Sequence, residues 1–600
     1  MMSSLSASPF ASKIDSYFVP DARAAGDIRA LLVNSAVELA TFDKQLKELE
    51  SALVDLRARR EALHRDIIAH ESLLSPIRRL PPDILSEIFL ACLPRTHNPR
   101  AIIHPAHAPL LFGRVCRYWR ELSRSTPMLW KKIHIRGLHD SAFVVFDRNP
   151  DQDHDGPAGG FYPAFGHHAG FGLSPRTHTA FLHTMNRFIE YAAASPLSIF
   201  YVQHHTVDAN GSPPDADLSR DAILQVFDCV LAARSRIEAL AIHAQSAELR
   251  RLSELSAGEM PLLKRLTISV QDGHPEQPLL EDLTILRNAH LEELCFSGRG
   301  SPLKAPVSWI HLRKLSLVCY RTMHRTVPPL VTSDDDSDGL DQNAMHEILR
   351  YCPLLVQAEF GIVRWEPWKP GSVVMMAHLE HLIISLGHGR NGDEDAIPNI
   401  GGLLGTLSMP KLSIFQLSSF FYDILSDNLD RVANSAHMSE SFPAPGELAV
   451  HLHPELEFSA EFLLAVLAEL PRTTALYLSP HAFTTQRGQW VPPFNARLFP
   501  ALQERAGDLC PGLQSLHVTF PSIHQPMRPT GLLQFVRSRR GTPLNSLHLD
   551  LGHSRAQDMD IEEDLRVLER EGLSLRIDEE RNERVPRWRY NIPQLLRIGP

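Results

Sequence analysis

The sequence predicts an α+β fold in which helices come first and a long region of alternating strands and helices follows. Between residues 27 and 75, apolar side chains recur at alternating spacings of three and four, which is typical of a long helix. Residues 77–131 then hold short apolar helices bounded by prolines. From residue 237 to residue 577, a pattern of the form LxxLxL keeps returning. Its last two apolar positions alternate as in a strand with one buried face.

The composition excludes several classes of protein. The chain has 600 residues, of which 44% are hydrophobic, and its 70 acidic and 60 basic residues give a net charge of −10. A nucleic-acid binder would carry a basic face, so we expect no nucleic-acid partner. No segment approaches the roughly 18 apolar residues of a membrane span, and the N-terminus lacks an apolar signal segment. We therefore expect a cytoplasmic or nuclear protein that is not secreted and has no membrane partner.

The long helix is predicted over residues 27–75, after a small and polar segment, residues 1–26, that we expect to be disordered. Its apolar side chains follow the a and d positions of a heptad repeat, the pattern of a coiled-coil seam. Ser35, Arg60 and His70 fall at seam positions and interrupt it. The seam consists of Leu32, Leu39, Phe42, Leu46, Leu49, Leu53, Leu56, Leu63 and Ile67.

Two arrangements of this helix stay open. In a parallel homodimer, Glu38 would face Asp43, so one flanking contact would join like charges. Asp66 would face Glu71 with the same result. We therefore expect one amphipathic helix that packs onto its own chain. A coiled-coil dimer is the alternative.

The stretch LLSPIRRLPPDILSEIFLACLP, residues 73–94, predicts a short apolar helix with a proline-marked entry. Proline is tolerated in the first helical turn because the amide there has no partner. Asp83 then places a carboxylate near the positive end of the helix. A broad apolar stripe follows, made of Ile84, Leu85, Ile88, Phe89, Cys92 and Leu93.

A second helix and a short turn complete the module. TPMLW, residues 126–130, predicts a turn that leads into a strand. A module of about 55 residues is near the lower size limit for a self-sufficient core, and it holds more apolar positions than it can cover. We therefore expect it to bind a partner. One face of the second helix carries Leu111, Phe112, Val115, Cys116, Trp119 and Leu122.

Residues 77–131 resemble the F-box, the helical module through which substrate receptors dock on the Skp adaptor of SCF-type (cullin–RING) ubiquitin ligases. Three pieces carry the resemblance in the order of the family: LPPDILSEIFLACLP, VCRYWREL and TPMLW. The preceding helix and the junction LSPIRRLPPDIL further resemble F-box proteins of mushroom-forming fungi. The loop at 94–110 departs from the family because it is richer in proline, which puts the start of the second helix in doubt.

The resemblance implies which residues would face the adaptor. Leu129 and Trp130 look more like residues of the internal core of the module. The alternative is that the whole set packs only within its own chain. The implied adaptor-facing residues are Leu80, Pro81, Ile84, Leu85, Ile88, Phe89, Leu93, Val115 and Trp119.

The rest of the chain, residues 190–580, carries the recurring LxxLxL pattern. Residues 196–203 look like the first strand of the array, and 473–478 and 573–577 match the pattern in part. Four of the segments follow MPLL, CPLL, MPKL or CPGL, which mark an entry from a helix or loop into a strand. The clearest copies are residues 237–242, 263–268, 291–296, 312–317, 379–384, 412–417, 513–518 and 544–549.

This pattern resembles an irregular leucine-rich repeat, which implies an α/β solenoid with stacked strands and helices or loops outside. The asparagine that follows LxxLxL in the standard repeat is missing here. An ordinary α/β domain with parallel strands is the alternative, because it shows the same buried runs. We expect helices and loops in the long gaps at 318–354 and 418–472, a Gly/Pro/His-rich loop at 138–186, and a C-terminal tail at 581–600.

The sequence offers no catalytic, cofactor-binding or metal-binding residues. The seven cysteines are spread widely without a CxxC pair. DQDHDG, residues 151–156, imitates a calcium loop, but Tyr162 occupies the position that requires a bidentate glutamate. The 31 histidines form no metal-ligand spacing, and no GxSxG, GxGxxG, P-loop or HExxH motif occurs. We therefore expect no enzyme activity and no cofactor.

The sequence thus predicts a non-catalytic substrate receptor of an SCF-type ubiquitin ligase. Its F-box would dock on a Skp-type adaptor, and through it on a cullin, while the repeat region would hold an unknown protein target. A scaffold whose F-box-like segment packs internally is the alternative, and it requires Ile84, Ile88 and Phe89 to be buried by their own chain.

Overall fold

The structure is a computed structural model of the chain. Two compact units make up the chain, Met1–Ile88 and Phe89–Pro600. The structure describes residues 8–14, 16–93, 107–136, 175–202, 216–244, 246–270, 278–319, 339–364, 366–387, 398–420, 447–452, 460–478, 498–505, 509–519, 530–539, 541–551 and 561–578.

The described residues form helices and strands along most of the chain. The helices are α1 (Ala22–Leu73), α2 (Pro82–Ala91), α3 (Phe112–Val115), α4 (Arg117–Arg124), α5 (Pro175–Tyr191), α6 (Ala216–Ala232), α7 (Ser246–Ser253), α8 (Gln342–Tyr351), α9 (Ile400–Leu404), α10 (Ala460–Ala468), α11 (Leu498–Glu504), α12 (Thr530–Ser538) and α13 (Glu562–Arg570). The strands are β1 (Lys132–Arg136), β2 (Leu197–Val202), β3 (Ile237–Ala244), β4 (Arg265–Val270), β5 (Glu293–Gly298), β6 (Lys314–Cys319), β7 (Gln357–Ile362), β8 (Val374–Met375), β9 (His381–Gly387), β10 (Leu407–Ser408), β11 (Ile414–Phe420), β12 (Leu448–Leu452), β13 (Thr473–Leu478), β14 (Ser515–Thr519), β15 (Ser546–Asp550) and β16 (Ser574–Asp578).

The first unit is dominated by α1, whose 52 residues make it a rod of roughly 80 Å at 1.5 Å per residue. Its heptad seam is uncovered, since the apolar residues from Leu32 to Ile67 keep 46 to 69% of their surface exposed. The expectation that this helix packs onto its own chain is therefore wrong for the described residues. The next longest described helices, α5 and α6, have 17 residues each, so neither alone is long enough to cover a seam that runs from Leu32 to Ile67.

In the second unit, α3, α4 and a 3₁₀ turn at Pro127–Leu129 lead into β1. The helix predicted through Leu111 and Trp119 is broken at Cys116, whose backbone is extended with φ −158° and ψ 173°. The break is stabilised locally because the Cys116 Sγ accepts a hydrogen bond from the Trp119 amide at 3.5 Å and so caps α4.

Fourteen strands of the second unit form one parallel sheet within the described residues. Their order follows the chain, from β1 to β7, then β9, then β11 to β16, while β8 and β10 pair separately. The repeated pattern explains the register, because Leu266, Leu294 and Leu315 lie opposite one another on β4, β5 and β6. The first and last of these strands also bury the apolar residue two positions later, so one face of the sheet forms the core.

Parallel neighbours need a connection that returns to the same end of the sheet. Between β14 and β16, this return is made by α12 and then α13, whose Leu533 and Leu568 are buried. Between β4 and β5 it is made by two 3₁₀ turns, Leu280–Asp282 and Thr284–Arg287. The chain is thus a mixed helix and strand protein with a large parallel sheet. This is consistent with the predicted α+β class.

Two elements lie where the sequence predicted something else. Helix α5 begins inside the predicted loop at 138–186, because Phe181, Met185 and Phe188 provide a buried helical face after the glycine-rich residues end. Strand β1 is the first strand of the sheet, ahead of the predicted first strand at 196–203. Residues 138–174 of the predicted loop lie outside the described residues.

The long gaps in the repeat pattern hold helices, as predicted, since α8 lies in the first and α10 in the second. The second gap also contains β12, which its sequence LAVHL did not announce because it lacks the first leucine of the pattern. The predicted disordered segment includes a described 3₁₀ turn at Ala11–Lys13, and the tail at 581–600 lies outside the described residues. Among the described helices, none is long and apolar enough to cross a membrane.

Candidate functional site

Five of the nine candidate docking residues belong to the first unit, at the entry to α2. Leu80 has φ −69° and ψ 136°, the extended conformation that a residue before proline adopts. Pro81 then accepts the Leu85 amide hydrogen at its carbonyl, 3.0 Å away, which begins the helix. The structure leaves Ile84 47% exposed, and Leu80 and Ile88 partly exposed.

The remaining residue of this group, Leu85, is fully buried. Ile84 and Ile88 are four residues apart, so they lie one turn apart on one face of α2. Pro81 is exposed as well. The first unit therefore presents an accessible apolar patch that includes Ile84 and Ile88.

In the second unit, Phe89 is the centre of a buried aromatic cluster. Its ring stacks on Phe112 with centroids 4.2 Å apart and planes 9° apart, and it meets Trp119 at 4.8 Å and 60°. Tilted and stacked pairs of this kind add about 0.5–1.5 kcal/mol beyond the area they bury. Phe89 is fully buried and Trp119 is partly exposed, so the cluster holds the Phe89 ring against α3 and α4.

Val115 and Leu93 remain accessible beside this cluster. Val115, the last residue of α3, is 53% exposed, and Leu93 is partly exposed. Trp130 and Leu129 are buried, as predicted for internal core residues. The Trp130 indole donates a 2.7 Å hydrogen bond to the Ser123 carbonyl, which fixes the turn against α4.

Trp130 also connects the module to the rest of the second unit. Its ring meets Phe188 of α5 edge-on, with centroids 4.8 Å apart and planes 85° apart. Tyr191 of the same helix lies 4.9 Å from the Trp130 ring. The module after Phe89 is therefore packed against the α5 side of the sheet region and is not a separate appendage.

The polar face of the sheet is the second candidate surface, and the sequence analysis did not identify its residues. Some of them, such as Cys295, Ser316 and His517, stand between the last two apolar residues of an LxxLxL segment, which is the position from which they could have been predicted. On β5, β6 and β7, Cys295, Ser316 and Glu359 lie opposite one another. The Ser316 hydroxyl donates a 2.8 Å hydrogen bond to the Glu359 carboxyl.

Burial shifts the pKa of two side chains in this row, Glu359 and Cys295. Burial raises the pKa of the Glu359 carboxyl to about 7, although the hydrogen bond from Ser316 lowers it. Burial also raises the pKa of the Cys295 thiol to about 12. A nucleophilic cysteine needs a lowered pKa, so Cys295 is an inert thiol in a structural row.

Farther along the same face, four aromatic or imidazole rings line up across neighbouring strands. Tyr477 of β13 stacks between His451 of β12, at 4.1 Å, and His517 of β14, at 4.2 Å. His517 and His548 of β15 join their Nδ1 atoms at 3.0 Å. The row ends where His548 Nε2 meets the Asp578 carboxylate at 2.8 Å.

One choice of histidine tautomers satisfies the hydrogen bonds of this row. In it, His548 donates to Asp578, His517 donates to His548, and Ser515 donates to His517 at 2.8 Å. Burial and then the neighbouring His548 lower the pKa of His517 to about 4. A general base works best with a pKa near the working pH, so His517 is poorly suited to activate Ser515.

The described residues contain no group of three or more His, Cys, Asp or Glu side chains placed to hold a metal ion. The polar rows place rings and hydroxyls on neighbouring strands, roughly 4.8 Å apart as in any sheet. Ser316, Glu359 and His451 of these rows are buried.

Comparisons with known proteins do not identify these surfaces. No family model matches the sequence, and no curated protein matches it either. The functional assignment therefore depends on the residues and contacts described above.

Proposed function

We propose that this protein is a non-catalytic substrate-receptor subunit of an SCF-type ubiquitin ligase. The observation that carries the proposal is the exposure of Ile84 and Val115, about half of each side chain, within the segment that resembles the F-box. Each of the two units thus keeps a large apolar side chain of this segment accessible, which is typical of residues that dock on a partner. The proposed partner of these residues is a Skp-type adaptor, and through it a cullin.

The buried members of the candidate set have a supporting role in this proposal. Leu85 and Phe89 are fully buried, so they hold the module in shape instead of touching the adaptor. The accessible members are Leu80, Pro81, Ile84, Ile88, Leu93, Val115 and Trp119.

The sheet region would hold the protein target. Its strands follow the chain in order and align their leucines from strand to strand, which supports the leucine-rich-repeat-like solenoid as the finer description of the fold. The target would bind the accessible residues of the sheet region, because Glu359, Gln416 and His451 of the polar rows are themselves buried. The receptor would then accelerate ubiquitin transfer by proximity, which raises the effective concentration of the target near the conjugating enzyme.

A pull-down of the full chain with a purified Skp-type adaptor tests the proposal. We expect the wild-type chain to bind and the double variant Ile84→Asp, Val115→Asp to lose binding. A carboxylate forced into a desolvated contact costs several kcal/mol, enough to abolish a micromolar complex. The matched control is Ile310→Asp, because Ile310 is 55% exposed but lies outside the candidate set. Equal retention of all three chains would contradict the proposal.

The second candidate function is a non-degradative scaffold whose F-box-like segment is only a packing unit. The full burial of Phe89 in its aromatic cluster favours it. This alternative predicts that a folded wild-type chain ignores the adaptor, so the same pull-down separates the two functions.

A further inference from the structure

The seam of α1 is the largest run of exposed apolar side chains on one described element. Its nine apolar residues from Leu32 to Ile67 each keep about half of their surface in water. Exposed apolar patches of this size mark interaction sites.

We propose that α1 pairs with α1 of a second copy of this chain, antiparallel and in register over its whole length, so that the protein is a homodimer. In an antiparallel coiled coil, an a residue of one helix packs beside a d residue of the other. A pairing centred on the middle of α1 joins residues whose numbers add to 95, because 22 and 73 are its first and last residues.

This register matches apolar residues with apolar residues. The central layers join Leu46 to Leu49 and Phe42 to Leu53 of the second copy. The outer layers join the pairs Leu39 and Leu56, Leu32 and Leu63, and Ile28 and Ile67.

The same register also pairs the two polar seam residues that interrupt the pattern. Ser35 occupies a d position and Arg60 an a position, and their numbers add to 95. A small serine leaves room for the long arginine side chain, whose guanidinium can reach the solvent at the edge. A slip by one heptad would instead place Arg60 against Ile28 or Phe42, so the polar pair specifies the register.

Charge favours the antiparallel orientation over the parallel one. In the antiparallel pair, the g positions face each other, and Glu38 meets Arg59 of the second copy twice. On the opposite edge, Asp43 comes beside Glu50 of the second copy, also twice, which is a contact of like charges.

In the parallel pair, the g positions of one helix face the e positions of the other, and two of these contacts join acidic residues. Glu38 meets Asp43, and Asp66 meets Glu71, with no opposite pair to offset them. The antiparallel pair therefore has a balanced charge pattern, and the parallel pair is repulsive.

The buried area is sufficient for a stable dimer. Nine seam side chains that each expose roughly 100 Å² would remove on the order of 900 Å² per helix from water, close to the roughly 800 Å² per partner of a standard interface. A helix of 52 residues is also well above the roughly 12–15 residues below which isolated helices are marginal.

Sedimentation equilibrium of the full chain tests the dimer. We expect a mass of twice the 67.3 kDa of the chain at micromolar concentration. The variant Leu46→Asp, Leu53→Asp should raise the dissociation constant by at least about 100-fold, because two carboxylates would enter the seam of each helix. The matched control is Ser51→Asp, at an f position on the opposite side of the helix, which should leave the mass unchanged.

A charge exchange tests the orientation. Glu38→Arg would meet Arg59 in the antiparallel pair but Asp43 in the parallel pair, so we expect it to weaken the dimer by roughly tenfold. Adding Arg59→Glu should restore wild-type affinity. A monomeric wild-type chain, a dimer that survives the seam variant, or a dimer strengthened by Glu38→Arg would each overturn the proposal.

Discussion

The buried carboxyl of Glu359 makes the stability of the sheet depend on pH in a way that a single substitution should remove. Glu359 is 8% exposed on β7, and its carboxyl accepts the Ser316 hydroxyl at 2.8 Å. Burial raises its pKa from an ordinary 4.5 to about 7. At about 1.4 kcal/mol per pH unit, the ionised form costs the folded state about 3 kcal/mol.

The sign of this pH dependence follows from the protons that the folded and unfolded chains bind. Between pH 4.5 and about 7, the folded chain keeps a proton on Glu359 that the unfolded chain has lost. The contribution to stability is therefore fully present below pH 4.5 and is lost as the pH rises through about 7. Glu359→Gln cannot ionise, and its amide oxygen still accepts the hydroxyl of Ser316.

Urea titrations at pH 5 and pH 8 measure the effect. We expect Glu359→Gln to be about 3 kcal/mol more stable than the wild type at pH 8 but no more than about 1 kcal/mol more stable at pH 5. The control is Glu380→Gln, because the Glu380 side chain is exposed. A difference between Glu359→Gln and wild type that is the same at both pH values would refute the reasoning.

Three further predictions follow from the packing. Phe89→Ala should lower the free energy of unfolding by about 3–5 kcal/mol in a denaturant titration, because it empties the site stacked on Phe112; a loss under 1 kcal/mol would contradict the cluster. Gly300→Ala should cost at least about 1–3 kcal/mol in the same assay, since its φ is +131° and a Cβ would lie 2.6 Å from the Leu280 amide nitrogen. In the folded chain, Ellman's reagent should modify the exposed Cys92 within minutes but leave Cys295 unmodified, because burial raises the pKa of that thiol to about 12.

The sequence predicted the strands well because their pattern reports directly on a buried face. The pattern at 473–478 coincides with β13, and those at 263–268 and 291–296 begin two residues before β4 and β5. That offset arises because the first leucine of each copy packs in the preceding turn, where Leu263 and Leu291 are fully buried. A strand without the first leucine, such as β12, gave no signal.

The sequence predicted which residues belong to the candidate site but not which of them are exposed. The apolar stripe of α2 identified Ile84 and Phe89 equally, yet one is half exposed and the other is stacked on Phe112. Helical periodicity gives the face of a residue but not which neighbour will cover it. The polar row at Glu359 was missed because it depends on register across strands that are far apart in sequence.

The exposed seam of α1 is a second case in which the sequence pattern does not identify the partner of an apolar face. A heptad pattern indicates that a helix needs a partner, but it does not indicate whether that partner belongs to the same chain. Like-charge contacts such as Glu38 with Asp43 argued against a parallel dimer, and this led to the wrong expectation of a helix packed on its own chain.

Hydrogen exchange of the full chain with and without a Skp-type adaptor tests the central claim most directly. The proposed function predicts slower exchange in peptides that cover residues 80–93 and 112–124, because docking removes Ile84 and Val115 from water. Strands β4 to β6, which lie in the sheet, should exchange at unchanged rates. Unchanged exchange in both peptides at saturating adaptor would contradict the proposed docking surface and would favour the scaffold alternative.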